Sequence, residues 1–207
     1  MKKPFKIIIL TITAILLALN GYFFIYKPAV SALFLRGMLY YQKRQNWLKA
    51  FGFYQAMVKE GTYVADGSIK FSEGFYNNLL KSDFKDKKHL AAIINGADDV
   101  IIKKHPLRVH NQIVFSRQLM KYGLYFPEAK KNANIMAREI LRKKAIFLAP
   151  NRPEIYNLLA ITSFGIGDYI NALYYIDRAI ELRPNIPHYQ ENKALIMRGL
   201  YKKLKEK

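Results

Sequence analysis

The side chains able to do chemistry in this sequence are few. It contains four histidines, His89, His105, His110 and His188, and no cysteine. The absence of cysteine excludes a thiolate nucleophile, a disulfide framework and a Cys-ligated zinc or iron–sulfur site. His105 and His110 are five residues apart, on different faces of any helix, and Pro106 interrupts a helix between them. No carboxylate completes a ligand set at metal-binding spacing, so surface or packed histidines are expected, with no metal and no cofactor. Asp98 and Asp99 are adjacent, and neighbours on a helix diverge by about 100°, so they read as a solvated helix face rather than an acid/base couple. Gly165-Ile166-Gly167 lacks the strand–loop–helix context of a phosphate loop. No serine lies in a nucleophile-elbow pattern. A binding protein, not an enzyme, is expected.

Two elements must position whatever binding surface exists. The first is N-terminal. Met1 to Lys6 forms a short basic tail, and Ile7 to Tyr26 carries no charge. As a helix, those residues would span about 30 Å, the thickness of a bilayer's hydrocarbon core. Tyr22, Phe23, Phe24 and Tyr26 gather at one end, as at a membrane–water interface, with Lys27-Pro28 closing the segment. Residues 7–26 are therefore expected to be an uncleaved transmembrane anchor, since Ala18-Leu19-Asn20 is a poor cleavage site. Lys2, Lys3 and Lys6 favour an N-terminus inside the cell, while Lys27, Arg36, Lys43 and Arg44 oppose it. A short tail before a folding domain behaves as a signal anchor. The expected placement is a single pass through the inner membrane with the following domain extracytoplasmic.

The second element is helical throughout. No strand-like alternation is long enough to compete, so the fold class is all-α. The clearest unit runs from Arg152 to Asn185. It has an aromatic at Tyr156, small residues at Ala160, Ala172 and Ala179, a turn at Gly165-Ile166-Gly167-Asp168-Tyr169, and Pro184 at its end, 34 residues after Pro150. Small residues at these positions allow two helices to approach closely, with larger apolar residues filling the space between hairpins.

This unit resembles the tetratricopeptide repeat (TPR), departing from it at Tyr156, where Trp is usual, and at Ser163, where Tyr is usual. The resemblance implies an α-solenoid of about four hairpins over residues 30–207. Ala32–Lys59 would be the first hairpin, Ser68–Lys81 with Lys87–Lys104 a poorly matched second, and Leu107–Lys121 with Pro127–Leu148 the third. The Arg152–Asn185 unit is the best matched, and a helix over residues 188–204 caps the array. It also implies a concave groove for protein partners, lined by Glu154, Asn157, Leu158, Ile161 and Phe164 and, from the next helix, by His188, Glu191, Asn192, Leu195 and Arg198. Asn157 and Asn192 are placed to bond an extended peptide backbone over Ile161 and Leu195. The family's chaperone-binding members clamp a C-terminal carboxylate here with Lys and Asn, but Ile161 stands where a polar residue would be needed.

The order of parts, an apolar helix ending in aromatics followed by a hairpin carrying Gln45-Asn46-Trp47-Leu48-Lys49-Ala50 and then a well-matched repeat, is similar to the C-terminal region of bacterial O-antigen ligase/polymerase-type membrane proteins. Only the repeat motifs carry that likeness, and the ligase's multi-pass catalytic region is absent. The expected role is a membrane-anchored scaffold at the bacterial cell envelope. The alternative is an accessory subunit or split C-terminal region of a glycan-assembly system.

The net charge is +19, with clusters at Lys103-Lys104, Lys130-Lys131, Arg142-Lys143-Lys144 and around Lys202. Such a field reads as a solvated basic surface or as an attractor of anionic lipid or glycan. Nucleic acid is a weaker expectation, since no nucleic-acid-binding motif accompanies the charge.

Overall fold

A computed structural model describes residues 3–60 and 68–206. The tip of the basic tail, residues 61–67 of the poorly matched middle and the last residue lie outside the described residues. Among the described residues every regular element is helical, and no strand occurs. The chain divides into two compact units, Met1–Phe75 and Tyr76–Lys207.

In the first unit, α1 (Lys3–Gly21) runs through a π-helical turn, Tyr22–Tyr26, directly into α2 (Lys27–Lys43). The expected stop at Lys27-Pro28 does not occur. A proline inside an α-helix lacks the N–H for the ladder and its ring presses on the carbonyl four residues earlier, here that of Phe24. The wider π turn just before Pro28 gives the ring room. Lys27 donates its N–H five residues back, to the Tyr22 carbonyl. Leu10–Lys43 is consequently one helix of 34 residues, with mean hydropathy 1.4 in its most apolar 18-residue window and none of that window buried. By length and composition it is able to cross a membrane, as expected of residues 7–26. Lys27 lies over the rings of Tyr22 and Phe23, 5.5 Å from each centroid.

α2 turns back at Gln45, whose φ is 55°, into α3 (Trp47–Glu60). Phe53 of α3 stacks on Tyr41 at 5.5 Å and covers Gly37 of α2. A Cβ at Gly37 would stand 2.5 Å from the Phe53 ring. Trp47, Ala50, Tyr54 and Met57 form the adjoining buried stripe of α3, and Trp47 packs on Phe75 of α4 (Ser68–Lys81) at 5.8 Å.

The second unit continues from Tyr76 through α5 (Lys87–Lys104), α6 (Val109–Tyr125), α7 (Lys130–Ile140), α8 (Pro153–Gly165), α9 (Tyr169–Leu182) and α10 (Pro187–Lys205). α6 runs four residues past the expected end at Lys121, because Gly123 seats on α7. A Cβ there would meet the Lys130 backbone at 2.9 Å. α7 extends through a second π turn, Leu141–Ala145, into a last helical turn at Ile146–Leu148. Ala133, Ala137, Leu141 and Ala145 are all buried at a spacing of four. An α-helix drifts about 40° per such step, and the wide turn restores the face.

α8 begins with Pro153 in its first turn and Glu154 beside the helix N-terminus, both favoured there. The link to α9 needs Gly167, whose φ is +84°. Asp168 then caps α9, accepting from the Asn171 N–H at 3.4 Å, and receives Arg138 of α7 at 3.0 Å. Ala160, Ala172 and Ala179 form the α8–α9 seam at 0% exposure, completed by Ile176, Tyr156, and Tyr189 and Ile196 of α10.

Candidate functional site

The groove residues expected from the sequence lie on α8 and α10, which pack on one another and share a core with α9. Asn157 of α8 and Asn192 of α10 meet. The Asn192 amide donates to the Asn157 carbonyl oxygen at 2.8 Å, and both amide nitrogens lie 3.3 Å from Nε2 of His188. The asparagines expected to bond a peptide backbone therefore hold each other, and Asn157 is 6% exposed.

Glu154 is similarly engaged, by Arg152 at 3.0 Å and by Arg117 of α6 at 3.4 Å. Ile161 is half-buried, whereas Leu195 is 52% exposed. Phe164 turns into the helix packing. Tyr169 meets it edge-on at 5.6 Å, and Gly199 of α10 admits it, since a Cβ there would fall 2.6 Å from its ring. Leu158 belongs to the core beneath, with Leu141, Ile155 and Leu159. His188, Glu191 and Arg198 stand in solvent. The structure thus joins Asn157, His188 and Asn192 into one polar cluster and leaves Glu191, Leu195 and Arg198 facing outward along α10.

Asp98 departs from expectation. It is fully buried and accepts from Gln118 of α6 at 2.6 Å. Gln118 also donates to Asn95 at 3.1 Å, and Asn95 donates to the Tyr76 hydroxyl at 3.2 Å. Burial pushes the Tyr76 hydroxyl well above its usual range, against the opposing hydrogen bond from Asn95. A buried carboxylate is tolerated only with such partners. Asp99, its neighbour, behaves as a surface group and pairs with Lys103 at 2.5 Å. As adjacent acidic residues the two look alike in the sequence. The distinguishing signal is that Asp98 falls in register with Leu90, Ala91, Ile94, Ile101 and Ile102, the buried stripe of α5.

Above this network, α5 and α7 both rest on α6 and leave a recess of about 300 Å³, lined by Ala92, Gly96, Leu119, Tyr122, Ala133 and Met136 among others. Lys88 and Glu128 pair across from α5 to the turn before α7. Among the described residues no group of three or more His, Asp or Glu side chains could hold a metal ion.

No protein-family model matches the chain, and no curated protein matches it.

Proposed function

We propose that this protein is a non-catalytic, membrane-anchored scaffold of tetratricopeptide type that binds protein partners along the face shared by α8 and α10. The observation that carries the reading is the alanine seam. Ala160, Ala172 and Ala179 lie fully buried between two helices joined by a short Gly167-Asp168 turn. A further helix, α10, packs on that pair and repeats its Pro start. An N-terminal proline, a small-residue seam and a following helix are what a stacking repeat needs to bury its apolar faces and leave one surface for partners. The engaged amides of Asn157 and Asn192 stiffen that surface rather than serving as free clamp groups, and Leu195 supplies its exposed apolar contact. The helix Leu10–Lys43 would hold the scaffold at the inner membrane of a bacterial envelope, N-terminus inside and the repeats outside.

Two experiments test this. Photo-crosslinking residues placed singly at Ile161 and Leu195 are expected to yield discrete protein adducts in intact cells, while one at Tyr174 on the exposed side of α9 yields none. Equal labelling at all three positions would sink the groove reading. Topology reporters fused after Lys207 are expected to be active outside the cytoplasm, and activity inside would reverse the orientation.

A further inference from the structure

Successive helices of the second unit run antiparallel through short connections, so the loops preceding α6, α8 and α10 fall at one end of it. Val109, Ile146 and Ala149 pack into one core with Ile155. Residues 149–153 and 182–183 enclose a shared open recess lined by Arg152 and Arg183. This end carries Lys103, Lys104, Arg108, Lys144, Arg152 and Arg183. The nearby carboxylates are already paired, Asp99 with Lys103 at 2.5 Å and Glu154 with Arg152 at 3.0 Å. Lys104, Lys144 and Arg183 have no carboxylate at ion-pair distance among the described residues. The opposite end also carries lysines on its helix ends, such as Lys87, Lys130 and Lys203, but its loops differ, holding Asp83, Asp86, Glu128 and Asp168 against Lys85 alone, whereas the loops before α6, α8 and α10 contain no carboxylate.

The basic end also exposes two large apolar side chains, Leu107 in the loop before α6 and Phe147 in the last helical turn before α8. Leu107 is 77% exposed and Phe147 78%. Cations ringing protruding apolar side chains are the composition of an interfacial membrane contact. Phosphates are met by the charges, and the apolar tips enter the headgroup–acyl boundary. A soluble polyanion would satisfy the lysines and arginines but offers Leu107 and Phe147 no apolar phase. The same chain holds a helix, Leu10–Lys43, of membrane-spanning length, which would keep a bilayer within reach.

We propose that this end of the second unit docks on anionic phospholipid headgroups. In this contact Phe147 and Leu107 insert, while Lys104, Lys144 and Arg183 contact phosphate.

The absence of cysteine allows a clean test on the full chain reconstituted in vesicles. A single Phe147→Cys variant would carry an environment-sensitive dye, with Ile170→Cys, 79% exposed near the opposite end, as the control. In vesicles containing phosphatidylglycerol the label at 147 is expected to shift blue and resist an aqueous quencher. In pure phosphatidylcholine it should remain in water, and the label at 170 should stay aqueous in both. About 0.5 M salt should reverse the shielding, because charges farther apart than a few ångströms are then screened. Lys144→Glu and Arg183→Glu should each weaken it by about fivefold or more. A label at 147 that stays aqueous on anionic vesicles overturns the proposal. So does shielding that is equal on neutral lipid and indifferent to salt, which would mean burial against protein. Shielding produced only by an added acidic polysaccharide would replace lipid by glycan.

Discussion

Two parts of the second unit solve the problem of packing helices in opposite ways. Between α8 and α9 the contact is made by alanines, with Ala160, Ala172 and Ala179 all fully buried, so the backbones approach and the seam is dry. Between α5 and α6 the contact includes buried Asp98 and Gln118 and half-buried Asn95, linked to Tyr76 in one hydrogen-bonded chain, and a recess remains beside it. The dry seam depends on volume, and any added atom must displace a helix. The polar ladder depends on completeness, and any missing partner takes a hydrogen bond from a group that cannot recover it fully from water. A family-like pattern is easy to recognise in the first case and absent in the second, because volume at fixed spacing is a sequence property and pairing across helices is not.

The sharpest way to break the dry seam is to overfill it. Ala160→Leu is expected to destabilise the second unit by about 3 kcal/mol, read as a lower unfolding midpoint by circular dichroism in mild detergent. An unchanged midpoint would mean that α8 and α9 are not close-packed there. Removing one member of the ladder comes next. Gln118→Leu should cost about 2 kcal/mol by taking from buried Asp98 the hydrogen bond that Gln118 donates, and Asp98→Asn in the same background should recover part of it, which a purely steric effect of leucine would not allow.

A smaller effect is expected at Asp168, which ties the seam's turn to α7. Burial raises its pKa, but the hydrogen bonds from Asn171 and the charge of Arg138 outweigh this and hold it below the usual aspartate range. Its folded pKa is depressed, so its contribution is present at neutral pH and disappears as pH falls below about 4. Asp168→Ala should cost about 1 kcal/mol at pH 7 and nothing once the carboxyl is protonated, a convergence that titrated melting curves would reveal. The smallest effect belongs to Lys88, paired with Glu128 in full solvent. The partnership holds Lys88 protonated to higher pH and Glu128 ionised to lower pH, yet Lys88→Met should leave the melting midpoint unchanged, because water and salt screen the pair.

The helical class, the apolar N-terminal helix and the hairpin at Arg152–Asn185 were all legible in residue order. Each rests on a local property: a charge-free run, a period, or a Gly167 that tolerates positive φ. The α2–α3 hairpin was equally open to reading through Gly37, Trp47, Ala50, Tyr54 and Met57. The end of the apolar helix was not, because Pro28 as a stop signal presumes an α-helical approach, and a π turn removes the clash. The expected groove residues fall on α8 and α10, but that Asn157 meets Asn192 depends on how two helices pack, with the two residues 35 apart in sequence.

By itself, then, the sequence determined which segments are helical, which one is apolar enough to enter a membrane, and where the alanine seam lies. These follow from side-chain size, polarity and spacing along a single helix. Only the tertiary structure decided that Asp98 is buried while Asp99 is not, that three separate basic segments share one end with Leu107 and Phe147, and that Asn157 and Asn192 hold each other. Those outcomes depend on which faces meet across loops, and a one-dimensional pattern does not contain that information.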